Sequence, residues 1–317
     1  MFESLAHFFV FEILKLDAGR LADVVEFFVA DSVKISLLML AVIFSISFVR
    51  TFLPTDRLRR FFLNSRFGSA YFLAAILGAV TPFCSCSSIP LFLGFLEAGA
   101  PAGVAFAFLA TSPLVNEVVF AVMAGNFGFG IAAIYAASGI ILGVAAGIIL
   151  EKLLGKKIAT AQKGENIFGA QSDLPTIFSE RVKYSARRAG NIFRKMWWII
   201  LLGIAIGAAI HGLVPAEFFL EILGDSSKIW GAPAAVILGL PIYARSASIV
   251  PIIFVLTTKG LPLGTALALM MSAAGLSLPE AVILKKIISW RALLFFFGIV
   301  AAGIILLGVG FNFLNFG

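Results

Sequence analysis

The chain reads as an all-α polytopic membrane protein made of two inverted-topology repeats, each holding a broken or re-entrant hairpin flanked by prolines. Three observations carry this reading. Of its 317 residues, 61% are hydrophobic and only 13% charged, and the mean hydropathy is +1.05, far from the soluble average. Several apolar stretches reach the about 20 residues that a helix needs to cross a bilayer. One proline-marked pattern also occurs twice, in the same order, over most of the chain.

Taken in order, residues 1–31 mix acids and bases (Glu3, Glu12, Lys15, Asp17, Arg20, Asp23, Glu26). That mixture lacks the basic-then-apolar order of a secretory signal, and the segment is expected to lie on the membrane as an amphipathic helix. Residues 32–150 form the first membrane repeat, with apolar spans at 29–49, 103–123 and 128–150. Between the first two of these, the apolar run Tyr71–Leu96 is interrupted by Thr81-Pro-Phe-Cys-Ser-Cys-Ser-Ser-Ile-Pro90. Proline lacks the N–H and clashes with the preceding turn, so this decapeptide reads as unwound. Unwound backbone survives at membrane depth only where protein buries it or a cavity lines it. Residues 151–195 form a basic hydrophilic linker with a polar centre at 159–173, and Trp197-Trp198 anchors the next span at headgroup level. Residues 196–317 form the second repeat, with spans at 197–214, 264–281 and 292–309 and an interrupted run at 231–256.

The repeat is visible residue by residue. Phe48-Val-Arg-Thr-Phe-Leu-Pro54 is matched by Ala209-Ile-His-Gly-Leu-Val-Pro215, and Ala74–Pro82 by Pro233–Pro241. Ser88-Ile-Pro90 is matched by Ser248-Ile-Val-Pro251. Pro90 to Pro101 and Pro251 to Pro262 are the same separation, with Gly103 and Gly264 two residues later. Gly139-Ile-Ile-Leu-Gly-Val144 is echoed by Gly303-Ile-Ile-Leu-Leu-Gly-Val309, and Glu117 and Glu280 follow Ser/Pro-containing segments of similar build. Arg50, Arg57, Arg59, Arg60 and Arg66, and the many bases of 151–195, place those loops in the cytoplasm by the positive-inside rule. Glu217, Glu221 and Asp225 against Lys228 place the loop after Pro215 outside. These charges are reconciled if the two interrupted runs enter and return as hairpins from opposite faces, the inverted-repeat plan of secondary transporters.

Composition and motifs exclude several functions. The net charge of +7 is spent on loops beside spans, and no basic face alternates with exposed aromatics, so nucleic acid is not a partner. No phosphate-cradling glycine loop followed by Lys-Ser/Thr supplies an ATP motor, and no nucleophile–His–acid set or HExxH motif marks an enzyme. No cofactor is implied. The two cysteines and two histidines (His7, His211) do not make a four-ligand zinc site, and residues two apart are poorly placed for a disulfide.

The residues left for chemistry sit in the two interruptions. Cys84 and Cys86 present two thiols, soft ligands suited to Cu(I) or a trivalent metalloid; the plain alternative is that cysteine fills space as a small apolar side chain. Ser85, Ser87 and Ser88 add hydroxyls for freed backbone or for solute, and Asn116 adds an amide after the following apolar run. In the second copy Tyr243 and Arg245 stand roughly where the cysteines stood, followed by Ser246 and Ser248. An arginine at the centre of a membrane costs about 2.5–3.5 kcal/mol on insertion scales, so Arg245 needs either an anionic solute held in its fork or a carboxylate partner, Glu117 or Glu280. A buried Glu117 would also serve to carry a coupling proton; its plain alternative is a helix-end residue.

At Pro82-Phe-Cys-Ser-Cys-Ser-Ser-Ile-Pro90, with Gly99-Ala-Pro101 and Phe108-Leu-Ala-Thr-Ser-Pro113-Leu-Val-Asn116 after it, the chain resembles the predicted-permease family that includes YraQ-type permeases and ArsP-type organoarsenical efflux permeases. The resemblance covers about Ser32 to the C-terminus. It implies a multi-spanning plasma-membrane permease and, through its ArsP-type members, export of trivalent organoarsenicals with Cys84 and Cys86 as candidate ligands. The resemblance does not assign the Tyr243/Arg245 replacement in the second half to a subgroup. The expected partners are thus a small-molecule or metalloid substrate and the lipid bilayer, with assembly into a homo-oligomer left open. Two alternatives stand beside a thiophilic solute: a sulfur-containing or oxyanion solute on Arg245, and a thiol-redox or metal-handling membrane protein.

Overall fold

The computed structural model describes residues 68–81, 85–97, 99–162, 178–213, 229–241, 246–285 and 287–313, with scattered helical positions between 25 and 48. Among these residues there is no strand. Eleven helices have defined bounds: α1 (Ser69–Val80), α2 (Ser85–Glu97), α3 (Ala102–Leu114), α4 (Glu117–Phe127), α5 (Phe129–Gln162), α6 (Phe178–Leu213), α7 (Gly231–Gly239), α8 (Ser246–Thr258), α9 (Leu263–Gly275), α10 (Leu278–Lys285) and α11 (Trp290–Phe313).

The helices recur in order and at one constant offset, that from Ser85 to Ser246. α2 and α8, and likewise α3 and α9, both begin and end at this offset, and α4/α10 and α5/α11 begin at it. Residues separated by it are equivalent positions of the two halves. One corner shows how the sequence enforces the copy. Gly99 (φ 79°) and Gly260 (φ 103°) adopt a backbone that a side chain would strain. Behind them Gly99 N–H donates to Leu96 O and Ala100 N–H to Phe95 O, both at 3.0 Å; Gly260 donates to Thr257 O at 3.0 Å and Leu261 to Leu256 O at 3.1 Å. These paired bonds close a helix C-terminus in a Schellman turn. Pro101 and Pro262 then open the next helix in matching extended conformations, φ −53° with ψ 139° and φ −55° with ψ 134°, where a missing N–H costs nothing.

Packing recurs as well. α3 lies against α1, α2 and α5, and α9 against α7, α8 and α11. A Cβ on Gly103 would meet the Gly147 carbonyl, and one on Gly264 would meet that of Gly308. Such close backbone approach is what associates helices in lipid, where apolar burial gives little net drive. At the same level Glu151 Oε2 accepts from Gly103 N–H at 2.6 Å. Its equivalent in the second half, Asn312, accepts from Thr265 N–H at 3.1 Å and donates to Thr265 Oγ1 at 3.0 Å. Each satisfies an amide of a helix first turn that has no partner within its helix.

The halves meet at equivalent residues. A Cβ on Gly275 would lie 2.8 Å from Leu114 Cδ2, and Gly303 abuts Leu142; in both pairs the two residues occupy the same position of their respective halves. Contacts between equivalent positions are the signature of a two-fold relation between packed units. Every residue of α3 is buried, as is every residue of α9 except Leu263. The outer surface is apolar: Phe72, Leu73 and Leu77 on α1, Ile134, Ile141 and Ile149 on α5, and Leu294, Phe295 and Leu306 on α11 are exposed. Exposed apolar area of this extent needs lipid to cover it. All four tryptophans, Trp197, Trp198, Trp230 and Trp290, are exposed too, and Lys285 Nζ lies 5.4 Å from the Trp290 ring centroid.

Three hydropathy-based expectations change. The runs 103–123 and 264–281 are each divided, at Val115–Asn116 and at Leu276–Ser277. α3 and α4 meet at a 40° bend, as a broken span or a re-entrant loop does; among the described residues two helices are long and apolar enough to cross alone, Phe129–Leu154 within α5 and α11. The decapeptide is not unwound throughout: Ser85 to Pro90 are helical, with Pro90 inside α2. The ring there costs one bond, because Pro90 cannot donate to the carbonyl of Cys86 four residues back. Finally, the hydrophilic segment 151–195 is largely helix, α5 running to Gln162 and α6 starting at Phe178, with 163–177 outside the described residues.

Candidate functional site

The α3–α4 and α9–α10 breaks lie together, because Leu114 and Gly275, the last residues of α3 and α9, touch. Two helix C-termini and two N-termini therefore converge at the centre, bringing partial negative and positive charge to one place.

The first break is closed by side chains. Val115 (φ −132°, ψ 120°) and Asn116 (φ −145°, ψ 168°) are extended. Asn116 Oδ1 accepts from Val119 N–H at 2.8 Å and so caps α4. The buried Tyr135 hydroxyl of α5 donates to Leu114 O at 2.7 Å, satisfying a carbonyl that the end of α3 leaves over. Ser112, one turn before the break, shares a 2.7 Å buried hydrogen bond between hydroxyls with Ser88 of α2. That bond joins the first turn of α2, which carries Cys86, to the α3 side of the break.

The second break is built differently. Leu278 N–H donates to Leu240 O at 3.2 Å, just past the end of α7, and Ser272 Oγ donates to Val236 O at 2.7 Å. Ser277, the equivalent of Asn116, is 1% exposed, but its Oγ has no hydrogen-bond partner. Phe296, the equivalent of Tyr135, offers no hydroxyl; its ring packs on Phe106 at 5.4 Å.

Of the residues singled out from sequence, Ser88 and Asn116 thus lie at or one turn from the first break. Glu117, the first residue of α4, is exposed, and Glu280, the third residue of α10, is 1% exposed. The two glutamates do not correspond: the helix starts pair Glu117 with Leu278 and Glu280 with Val119. Cys84, Tyr243 and Arg245 lie outside the described residues. For Ser85, Cys86 and Ser87 in α2, and Ser246 and Ser248 in α8, the backbone alone is described. Sequence reasoning missed Ser112, Tyr135 and Ser277. Their importance rests on contacts or positions set by the tertiary fold, and only for Ser277 did the repeat itself hold a signal, through its alignment with Asn116. Among the described residues no three His, Cys, Asp or Glu side chains gather as a metal cluster.

Apolar-faced helices, two of them long enough to span, around central helix breaks define a multi-pass membrane protein of the kind that carries solutes. The chain belongs to the "Predicted permease" family ArsP_1, whose model matches residues 20–313. It is 22% identical over 301 residues to UPF0718 protein MJ0584 of Methanocaldococcus jannaschii, covering 75% of this chain and 82% of that protein. It is 26% identical over 252 residues to UPF0718 protein YraQ of Escherichia coli K12, covering 78% and 68% respectively. No solved structure matches.

Proposed function

We propose that this permease moves a small thiophilic solute, such as a trivalent organoarsenical, across the plasma membrane by alternating access. The observation that supports the proposal is the Ser88–Ser112 bond, which ties the first turn of α2 to the turn of α3 before the first break; Cys86 and Cys84 precede Ser88 by two and four residues in the sequence. Two soft thiols in the segment that leads into α2 would suit a soft solute, and a break at the interface of two repeats is where carriers build their sites. The halves then face opposite sides of the membrane. α1 and α2, with 12 and 13 residues, are each about 18–20 Å long at 1.5 Å per residue, the reach of a hairpin that enters to mid-bilayer and returns. The same reading assigns Ser85, Ser87, Ser88 and Asn116 to the solute side of the first repeat, and Tyr243, Arg245, Ser246 and Ser248 to the second.

The test is uptake into proteoliposomes with trivalent arsenicals, sulfur-containing anions, oxyanions and Cu(I) offered in parallel. Selective movement of the arsenicals, lost in Cys84→Ser and Cys86→Ser, is expected, since serine keeps the size and removes the soft ligand. Movement of oxyanions alone, lost in Arg245→Lys, would replace the proposal with an anion carrier. No movement of any solute, together with thiol exchange with a partner protein, would replace it with a redox role.

A further inference from the structure

The second break departs from the first at three equivalent positions, and each changes the oxygen that the break presents. Where Tyr135 caps the carbonyl of Leu114, Phe296 has no hydroxyl to give the matching end of α9. Where Asn116 caps α4, Ser277 is buried and its Oγ is unbonded. A buried polar atom without a partner calls for an explanation, an unseen ligand among them. Where Val119 is apolar and fully buried, Glu280 brings a carboxylate that is 1% exposed. Ser277 and Glu280 are three residues apart at the start of α10, so they share one face. Leu276 alone separates Ser277 in the chain from the last residue of α9, whose C-terminal carbonyls end there. A hydroxyl, a carboxylate and helix-end carbonyls are hard oxygen ligands, unlike the thiols of the first repeat.

Resting on the reading of the chain as a secondary permease, we propose that Ser277 and Glu280 at the second break form a site for a small hard monovalent cation, sodium, whose gradient drives the solute. Half-helix C-termini and unwound carbonyls hold coupling ions in this way in broken-helix carriers. A carboxylate has lone pairs for more than one partner, so the role does not require Glu280 to be otherwise idle. The soft ligands of one break then serve the solute, and the hard ligands of the other serve the ion.

Thermal unfolding of the full-length protein in detergent, without solute, tests this in sodium, potassium and choline chloride at equal ionic strength. Binding to the folded state alone raises the midpoint, and sodium at several times its dissociation constant is expected to raise it by roughly 2 °C over potassium. Ser277→Ala and Glu280→Gln should each abolish that increment, while Cys84→Ser keeps it. Equal midpoints in the three salts, or a sodium increment retained in Ser277→Ala, would overturn the site. So would recovery of a destabilised Glu280→Gln by Arg245→Met, because it would make Glu280 the partner of Arg245. Since no solute is present, a wrong solute assignment leaves this result untouched; loss of solute binding with the sodium response intact counts against the solute reading alone.

Discussion

The first break spends its polar groups on itself, whereas the second leaves a buried hydroxyl unused. Asn116 and Tyr135 satisfy the amide and carbonyl that the α3–α4 break creates, and Ser88 and Ser112 satisfy each other. At the α9–α10 break the same backbone positions carry Ser277 and Phe296, which do neither, and Ile249 and Ala273 replace the hydroxyl pair with apolar side chains. Corner turns and glycine contacts coincide between the halves, so the difference is concentrated at the breaks, in side chains and in backbone: Val115 is extended (ψ 120°) where Leu276 is not (ψ 30°). A duplicated scaffold can thus keep its packing in both copies and let its breaks diverge, one towards stability and one towards a ligand.

The widest test of this comparison is sidedness, with an all-or-none readout. In a Cys84→Ser/Cys86→Ser background, single cysteines placed at 163–177 should react only from the cytoplasmic side and those at 225–228 only from outside. Labelling of both from one side would make the halves parallel and remove the opposed-repeat part of the proposal.

Next in size is the glycine pair. Gly103→Val and Gly264→Val each drive a side chain into the facing Gly147 or Gly308 backbone, and overpacking of this kind costs about 1–3 kcal/mol or more. Denaturation in bicelles should show losses of similar size at both sites. A large loss at one and none at the other would break the equivalence of the two packings.

Tyr135→Phe should follow, at about 1–3 kcal/mol, because it strands the buried Leu114 carbonyl. It also makes the first break resemble the second. A neutral result would mean that the carbonyl finds another donor.

The smallest effect separates the two N-terminal positions. Asn116→Ala should cost about 1 kcal/mol as a lost cap, while Ser277→Ala, measured in choline chloride, should be near neutral because its hydroxyl holds nothing. Equal losses would make Ser277 a cap and dissolve the contrast between the breaks.

How far this was legible in sequence varies by element. Composition gave the membrane, and the spacing of Pro90, Pro101, Pro251 and Pro262 gave the repeat and the order of its helices. Hydropathy could not divide 103–123 or 264–281, since two non-helical residues barely alter an average over a whole span. The cap signal at Asn116 was present but lay inside an apolar run that a single span explained. Pro90 was over-read as a breaker, because helix packing tolerates a proline where one lost bond is its main cost. Aligning Glu117 with Glu280 by identity missed the register by two residues, and helix starts correct it. Ser112 and Tyr135 act through partners 24 and 21 residues away, and no local pattern announces them.

The claim that the solute sits on the cysteines beside the first break is tested most directly by thiol protection. Purified protein is treated with a small thiol reagent with and without a trivalent organoarsenical, and modification at Cys84 and Cys86 is read by mass spectrometry. The account predicts that both react in the absence of solute and that both are protected over the same solute concentrations that saturate uptake. Modification unchanged at saturating solute would contradict it.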